Sequence, residues 1–125
     1  MRDIYDVMVV DRRIQVRSAI CEYLAAEGYF PIAAADYEAA IELLRLQATL
    51  RVALVDTALC NKAQGGPRSS PWRLADELAA RGLHVIGMAE PEERHDQHEQ
   101  GYPVLRRPFH LRAMLAYIRA VPVMS

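Results

Sequence analysis

The stretches VMVVD, residues 7–11, and VALVD, residues 52–56, repeat one pattern: a short apolar run that ends in an aspartate. Apolar runs of this length, rich in valine and without alternation, are typical of strands that are buried on both faces of a parallel sheet. In such sheets, ligands and chemistry collect outside the carboxyl ends of the strands. We therefore expect Asp11 and Asp56 to face one crevice, although a single aspartate in this position would more simply start a turn.

Strand and helix patterns alternate along the rest of the chain. Strands are predicted at residues 30–34, 85–88 and 104–105, and amphipathic helices from Asp11 to Gly28, after the N-cap Asp36, from Ser70 and Pro71 to Gly82, and over residues 111–118. The polar segments 57–69 and 90–101 predict a loop before the third helix and a reduced or irregular fourth helix. This order predicts an α/β protein with a doubly wound, five-stranded parallel sheet of flavodoxin-like (βα)5 topology.

The composition is that of an ordinary globular protein. Its 125 residues, of which 52% are apolar and 25% charged, fit one domain over residues 1–125, with no room for an output domain. A net charge of −1 gives no general reason to expect nucleic acid or an anionic membrane as a partner. The apolar runs are too short to span a membrane and the start lacks a signal-peptide core, which predicts a cytoplasmic protein. Cys21 and Cys60 lack a CxxC spacing and are expected to be reduced thiols.

The stretch RRPF, residues 106–109, follows the fifth predicted strand and brings a cation to the crevice that Asp11 and Asp56 face. With this stretch in place, residues 5–120 resemble the receiver domain of bacterial two-component response regulators. The Gly-Gly-Pro stretch at residues 65–67 and the short segment before the fifth strand are similar to an atypical single-domain receiver subfamily, which is named for a Phe-Ala-Thr-Gly-x-Tyr signature.

The resemblance implies a role for each residue of this constellation. Asp56 matches the aspartate that accepts a phosphoryl group from a histidine kinase. Asp11 matches one of the acidic residues that, together with Asp56, hold Mg²⁺ in the family. Arg107 stands where the family has a lysine that contacts the phosphoryl group, and the peptide bond to Pro108 is expected to be cis.

Such a chain would be a stand-alone receiver module in phosphorelay signal transduction rather than an enzyme. The resemblance implies a histidine kinase or a phosphotransfer protein as the upstream partner. It also implies that a downstream effector protein, or a second copy of the chain in a homodimer, binds the face of the last helix and the strand before it. Neither nucleic acid nor a membrane is expected as a partner.

Several positions depart from the family pattern. Arg12 stands in the second acidic position after the first strand, and Ala89 stands where the family has a hydroxyl residue at the end of the fourth strand. Val104 replaces the aromatic switch residue, and the Gly-x-Tyr that should follow the fourth strand is missing. The acidic site and the switch are therefore both degenerate in sequence.

These substitutions change the charge of the predicted crevice. Two carboxylates face Arg12, Arg107 and, if it turns inward, Arg13, so we expect Mg²⁺ to bind weakly or not at all. One hypothesis is that Arg12 or Arg107 pairs with Asp56, lowers its pKa and holds the crevice in one state. The alternatives are that the arginines bind a free anion, or that Arg12 and Arg13 are solvated on the first turn of a helix.

Three functional hypotheses follow from the sequence. The first is a receiver that is phosphorylated at Asp56, and the second is a phosphorylation-independent pseudo-receiver that acts as a protein-protein interaction module, which Arg12 and Ala89 favour. The third, a small α/β enzyme or nucleotide-binding protein, is disfavoured because the turn at residues 11–15 has no glycine that would let the backbone cradle a phosphate.

Overall fold

The computed structural model describes residues 4–60, 72–91 and 101–121. These residues form one five-stranded, all-parallel sheet in the order β2-β1-β3-β4-β5. The strands are β1 (Val7–Val10), β2 (Pro31–Ala34), β3 (Val52–Asp56), β4 (His84–Ala89) and β5 (Val104–Arg106). The helices are α1 (Ile14–Ala26), α2 (Tyr37–Leu46), α3 (Thr57–Cys60), α4 (Arg73–Ala80) and α5 (Leu111–Arg119). The predicted doubly wound α/β fold is confirmed.

The two apolar runs that decide the fold are neighbouring central strands. β1 and β3 are paired in parallel, with Val10 opposite Val55, and every residue of both strands is buried. Met8 and Val10 face one apolar cluster, whereas Val7 and Val9 face another on the opposite side of the sheet. Because both faces are covered, the strands have no solvent-facing positions and their sequences do not alternate.

Several helices begin or end at the capping residues that the sequence predicts. The Asp36 carboxylate caps α2 by accepting a hydrogen bond from Ala39 N–H at 2.8 Å. Gly28, just beyond α1, has a φ of +95°, which favours glycine. One prediction was wrong: Thr57–Cys60 forms a short helix rather than the start of a loop. Ser70, Pro71, the Gly-Gly-Pro stretch and the segment 92–100 in which the fourth helix was predicted to be reduced all lie outside the described residues.

Trp72 lies deeper than its position at the start of a helix indicates. Its side chain is almost fully buried within the apolar cluster on the α2 and α4 side. A Cβ atom on Gly87 would lie 3.1 Å from Trp72 Cη2 and 3.2 Å from Thr57 Cγ2. Glycine in β4 therefore leaves the space that the indole ring needs.

Candidate functional site

The carboxyl ends of the central strands bring charged side chains to one edge of the sheet. Asp11 directly follows β1, Asp56 ends β3, Glu90 follows β4 and Arg107 follows β5. Both aspartates are fully buried. The structure thus places Asp11 and Asp56 at the shared edge that their sequence pattern predicts.

Both carboxylate oxygens of Asp11 hold hydrogen bonds within the chain. Oδ1 accepts the backbone N–H of Arg13 at 2.8 Å, and Oδ2 accepts Nη2 of Arg107 at 2.6 Å. Arg17 Nη1 donates to the backbone carbonyl of Asp11 at 3.0 Å. Arg107, which matches the phosphoryl-contacting lysine, is therefore bound to Asp11 rather than to Asp56.

Asp56 is held less tightly than Asp11. Its Oδ1 accepts a hydrogen bond from Ala58 N–H at 3.1 Å, while Oδ2 lies 3.6 Å from Arg12 Nε and accepts no hydrogen bond from any described residue. Burial raises the pKa of Asp56, and the charge of Asp11 raises it further, against the opposing effects of Ala58 N–H, Arg12 and Arg107. Arg12 and Arg107 do lower this pKa, as hypothesised, but the net shift is upward because desolvation is the larger effect.

The raised pKa makes the Asp56 charge a cost to the fold. Because the folded state binds the Asp56 proton more tightly than the unfolded chain does, this contribution to stability falls as pH rises above the ordinary value of 3.8. We expect Asp56→Asn to raise the free energy of unfolding by about 1 kcal/mol near neutral pH, and by less near pH 4. Urea unfolding of both proteins at the two pH values measures the difference. A variant that is less stable at neutral pH would contradict this expectation.

Glu90 is a site residue that the sequence reasoning missed. Its Oε2 lies 2.8 Å from Arg13 Nη2, 3.2 Å from Arg107 Nε and 3.6 Å from Arg12 Nη2. The hydrogen bond from Arg13 to Glu90 raises the pKa of the Arg13 guanidinium. The available signal was its place directly after β4, but Glu90 was grouped with the polar segment that follows it.

Glu90 also changes the charge balance of the crevice. Three carboxylates, those of Asp11, Asp56 and Glu90, now face the three guanidiniums of Arg12, Arg13 and Arg107, which gives a net charge of zero for these six groups. Arg12 and Arg13 remain about two-fifths exposed, yet both lie within ion-pair distance of crevice carboxylates. These two arginines are thus partly solvated, as one alternative expected, and also pair with crevice carboxylates.

The remaining predicted site residues lie near the same edge. Ala89 is buried at the end of β4, where its carbonyl accepts the backbone N–H of Arg107 at 2.8 Å. The peptide bond from Arg107 to Pro108 is cis, as expected. Val104 lies at the start of β5 and is partly buried against the apolar cluster. A backbone hydrogen bond thus joins the ends of β4 and β5. The methyl side chain of Ala89 has no group that can form a hydrogen bond.

The donor set at this edge does not fit the Mg²⁺ ion that the resemblance implies. Mg²⁺ needs oxygen ligands in a near-octahedral arrangement. Both Asp11 oxygens and Asp56 Oδ1 already accept hydrogen bonds, and the Arg12 guanidinium stands beside Asp56 Oδ2. Within the described part of the chain, no group of three His, Cys, Asp or Glu side chains is arranged to hold a metal ion. A metal would have to displace guanidinium groups from Asp11.

Comparison with solved structures identifies proteins with a fold similar to that of this chain. No protein-family model matches the sequence, and no curated protein matches it. Among solved structures, NtrX from Brucella abortus in complex with ADP has a TM-score of 0.73 and 21% identity, over 92% of this chain and 25% of that one. A response regulator receiver domain protein from Clostridium thermocellum has a TM-score of 0.72 and 15% identity, over 92% and 91% of the two chains. A response regulator receiver protein from Sinorhizobium medicae has a TM-score of 0.73 and 15% identity, over 94% and 93%.

These similarities concern the fold. The chain spans about a quarter of NtrX but about nine-tenths of the other two proteins. In the described residues, no helix combines the length and the apolar character that crossing a membrane requires.

Proposed function

We propose that this chain, which has the fold of response regulator receiver domains, is a signalling module that acts through contact with a protein partner and does not depend on Mg²⁺ or phosphorylation. The observation that carries the proposal is that guanidinium groups occupy the acidic site. Asp11 is bound by Arg107 and by the Arg13 backbone, and Arg12 stands beside Asp56. A guanidinium in place of an acidic ligand removes an oxygen donor and repels the cation.

The ion pairs also support a fixed crevice. Arg13, at the start of α1, reaches Glu90 after β4, and Arg107, after β5, reaches both Glu90 and Asp11. Of these pairs, Arg107–Asp11 is buried, and removing one partner would leave an uncompensated buried charge, which is strongly unfavourable. The loops at the ends of β1, β4 and β5 are thus tied together in the absence of any phosphoryl group. We expect the surface that these loops shape to be presented constitutively.

The face of β5 and α5 is the surface that the family resemblance assigns to partners. An open groove of about 620 Å³ lies next to this face, between the C-terminal half of α5, the start of β4 and the residues before β5, and its lining includes Tyr102, Pro103, Ala116, Tyr117 and Val121. Tyr117, which is 36% exposed, and the apolar residues beside it give this groove a largely apolar lining. We therefore expect this face to bind an effector protein.

A second candidate function is that of a phosphorelay receiver, in which Asp56 accepts a phosphoryl group from a histidine kinase or a phosphotransfer protein. The specific observation that favours it is Asp56 Oδ2, which accepts no hydrogen bond from the described residues and lies 3.6 Å from Arg12 Nε. Arg12 is long enough to contact an added phosphoryl group by charge-assisted hydrogen bonds. In this alternative, guanidinium groups would stabilise charge that Mg²⁺ stabilises in most phosphoryl transfers.

One experiment separates the two functions. The protein is incubated with Mg²⁺ and acetyl phosphate, and its intact mass is compared with that of Asp56→Asn. We expect no gain in mass, and no shift of the amide NMR signals of Asp11, Asp56 and Glu90 when Mg²⁺ is added alone. A receiver domain with an intact acidic pair serves as the positive control.

A mass gain of one phosphate that is lost in Asp56→Asn would refute the proposal and establish the second candidate. If the same gain occurs without Mg²⁺, the guanidinium groups rather than a metal support the transfer.

A further inference from the structure

Three guanidinium groups converge on a single carboxylate oxygen, Glu90 Oε2. Arg12 and Arg13 come from the turn after β1, and Arg107 comes from the end of β5, which lies more than 90 residues later in the chain. The three nitrogen-to-oxygen distances lie between 2.8 and 3.6 Å. We refer to these three side chains as the arginine cluster.

The arginine cluster offers more hydrogen-bond donors than Glu90 uses. Arg13 Nε and Arg107 Nε are both buried and make no hydrogen bond with a described residue. Arg107 Nε lies 3.2 Å from Glu90 Oε2 and Arg13 Nε lies 3.6 Å from Asp11 Oδ1, which are ion-pair contacts without hydrogen-bond geometry. Buried N–H groups are seldom left without an acceptor, and those of a charged group are the most costly to leave unsatisfied. Phosphate provides more oxygens than a carboxylate, carries more charge and matches the forked geometry of guanidinium groups.

The cluster is also accessible from solvent on one side. The side chains of Arg12 and Arg13 are 41% and 40% exposed, whereas that of Arg107 is 13% exposed. Arg107 therefore forms the inner wall and the other two arginines form the mouth. A small anion can approach the cluster without any opening of the core.

We propose that Arg12, Arg13 and Arg107 form a binding site for a phosphate-type oxyanion, and that Glu90 occupies this site as a competing anion from within the chain. This inference goes beyond the proposed function, because it holds whether or not Asp56 accepts a phosphoryl group. A tethered competitor acts at an effective concentration in the millimolar range or above. The unmodified protein therefore binds phosphate weakly, and the loss of the Glu90 charge exposes the site.

The test is a titration of Glu90→Gln with inorganic phosphate, followed by amide NMR shifts at constant ionic strength. We expect the Kd for phosphate to fall about tenfold or more relative to the unmodified protein, because the internal competitor has lost its charge. Glu42→Gln is the matched control, since Glu42 pairs with Arg45 on the exposed surface of α2 and should leave the Kd unchanged.

Two double variants identify the site and the source of the phosphate group. Adding Arg13→Gln to Glu90→Gln should abolish the gain in affinity, since Arg13 makes the shortest contact of the cluster with Glu90. Adding Asp56→Asn to Glu90→Gln should preserve the gain, which distinguishes free phosphate from a phosphoryl group on Asp56. Equal affinity in Glu90→Gln and the unmodified protein, or loss of the gain with Asp56→Asn, would overturn the proposal.

The unmodified protein supplies a readout that does not require any variant to fold. Phosphate in large excess should shift the side-chain Nε–H signals of Arg13 and Arg107, and chloride at the same ionic strength should not. Identical spectra in the two salts would also overturn the proposal.

Discussion

Replacing Arg107 with alanine should lower the free energy of unfolding by about 3–5 kcal/mol. Arg107 Nη2 donates to Asp11 Oδ2 at 2.6 Å, and Asp11 is fully buried. Without Arg107, the Asp11 carboxylate keeps only the Arg13 backbone N–H as a short hydrogen-bond donor among the described residues. The loss is a large share of the 5–15 kcal/mol by which most domains are stable, so a substantial unfolded fraction is expected on mild heating.

Urea unfolding of Arg107→Ala measures this cost, and Arg119→Ala is the matched control. Arg119 also pairs with a carboxylate, Glu27 at 3.4 Å, but both side chains are exposed, so its loss should cost less than about 1 kcal/mol. In an Asp11→Asn background, Arg107→Ala should cost clearly less, because the buried charge is gone. Equal costs for Arg107→Ala and Arg119→Ala would contradict the buried ion pair.

Replacing Trp72 with alanine should also lower the free energy of unfolding by about 3–5 kcal/mol. Trp72 is the largest of the fully buried side chains and packs against Gly87 in β4. Its ring centroid lies 5.7 Å from that of Tyr102, just before β5. The substitution would leave a cavity in the closely packed core beside Gly87, and such cavities are costly because close-packed neighbours relax only partially.

Thermal and urea unfolding of Trp72→Ala should show the loss, with Phe30→Ala as the control. Phe30 is an aromatic residue beside β2 whose side chain is half exposed, so its truncation should cost less than about 1 kcal/mol. If the two truncations cost the same, Trp72 does not contribute to the core in the way its burial indicates.

Much of the fold could be predicted from local patterns. The apolar runs at residues 7–11 and 52–56 identify central strands because a strand that is covered on both faces needs apolar side chains at every position. The Asp36 cap and the Gly28 helix end could be predicted because each depends on a few neighbouring residues. Thr57–Cys60 was predicted to be part of a loop but forms a short helix, because four residues are too few to show the spacing of apolar side chains that indicates a helix.

The edge at which the site lies could be predicted, but the pairs within it could not. A strand pattern places its last residue at the carboxyl edge of the sheet, and so Asp11, Asp56 and Arg107 were brought together correctly. The ion-pair partner of each charged side chain could not be predicted in this way. One hypothesis paired Arg12 or Arg107 with Asp56: Arg12 does lie within ion-pair distance of Asp56, whereas Arg107 binds Asp11. Glu90 was not expected at the site.

The sequence alone determined the class of the sheet, the burial of its central strands and the edge to which the aspartates belong. Each of these depends on the spacing of apolar residues or on residues that are adjacent in the chain, and both can be read directly from a sequence. Only the tertiary structure decided that Arg107 binds Asp11, that Glu90 joins the arginine cluster, and that desolvation outweighs Arg12 in the pKa of Asp56. The physical reason is distance: ion pairing and desolvation depend on a few ångströms between loops that are 77 or 96 residues apart in the chain.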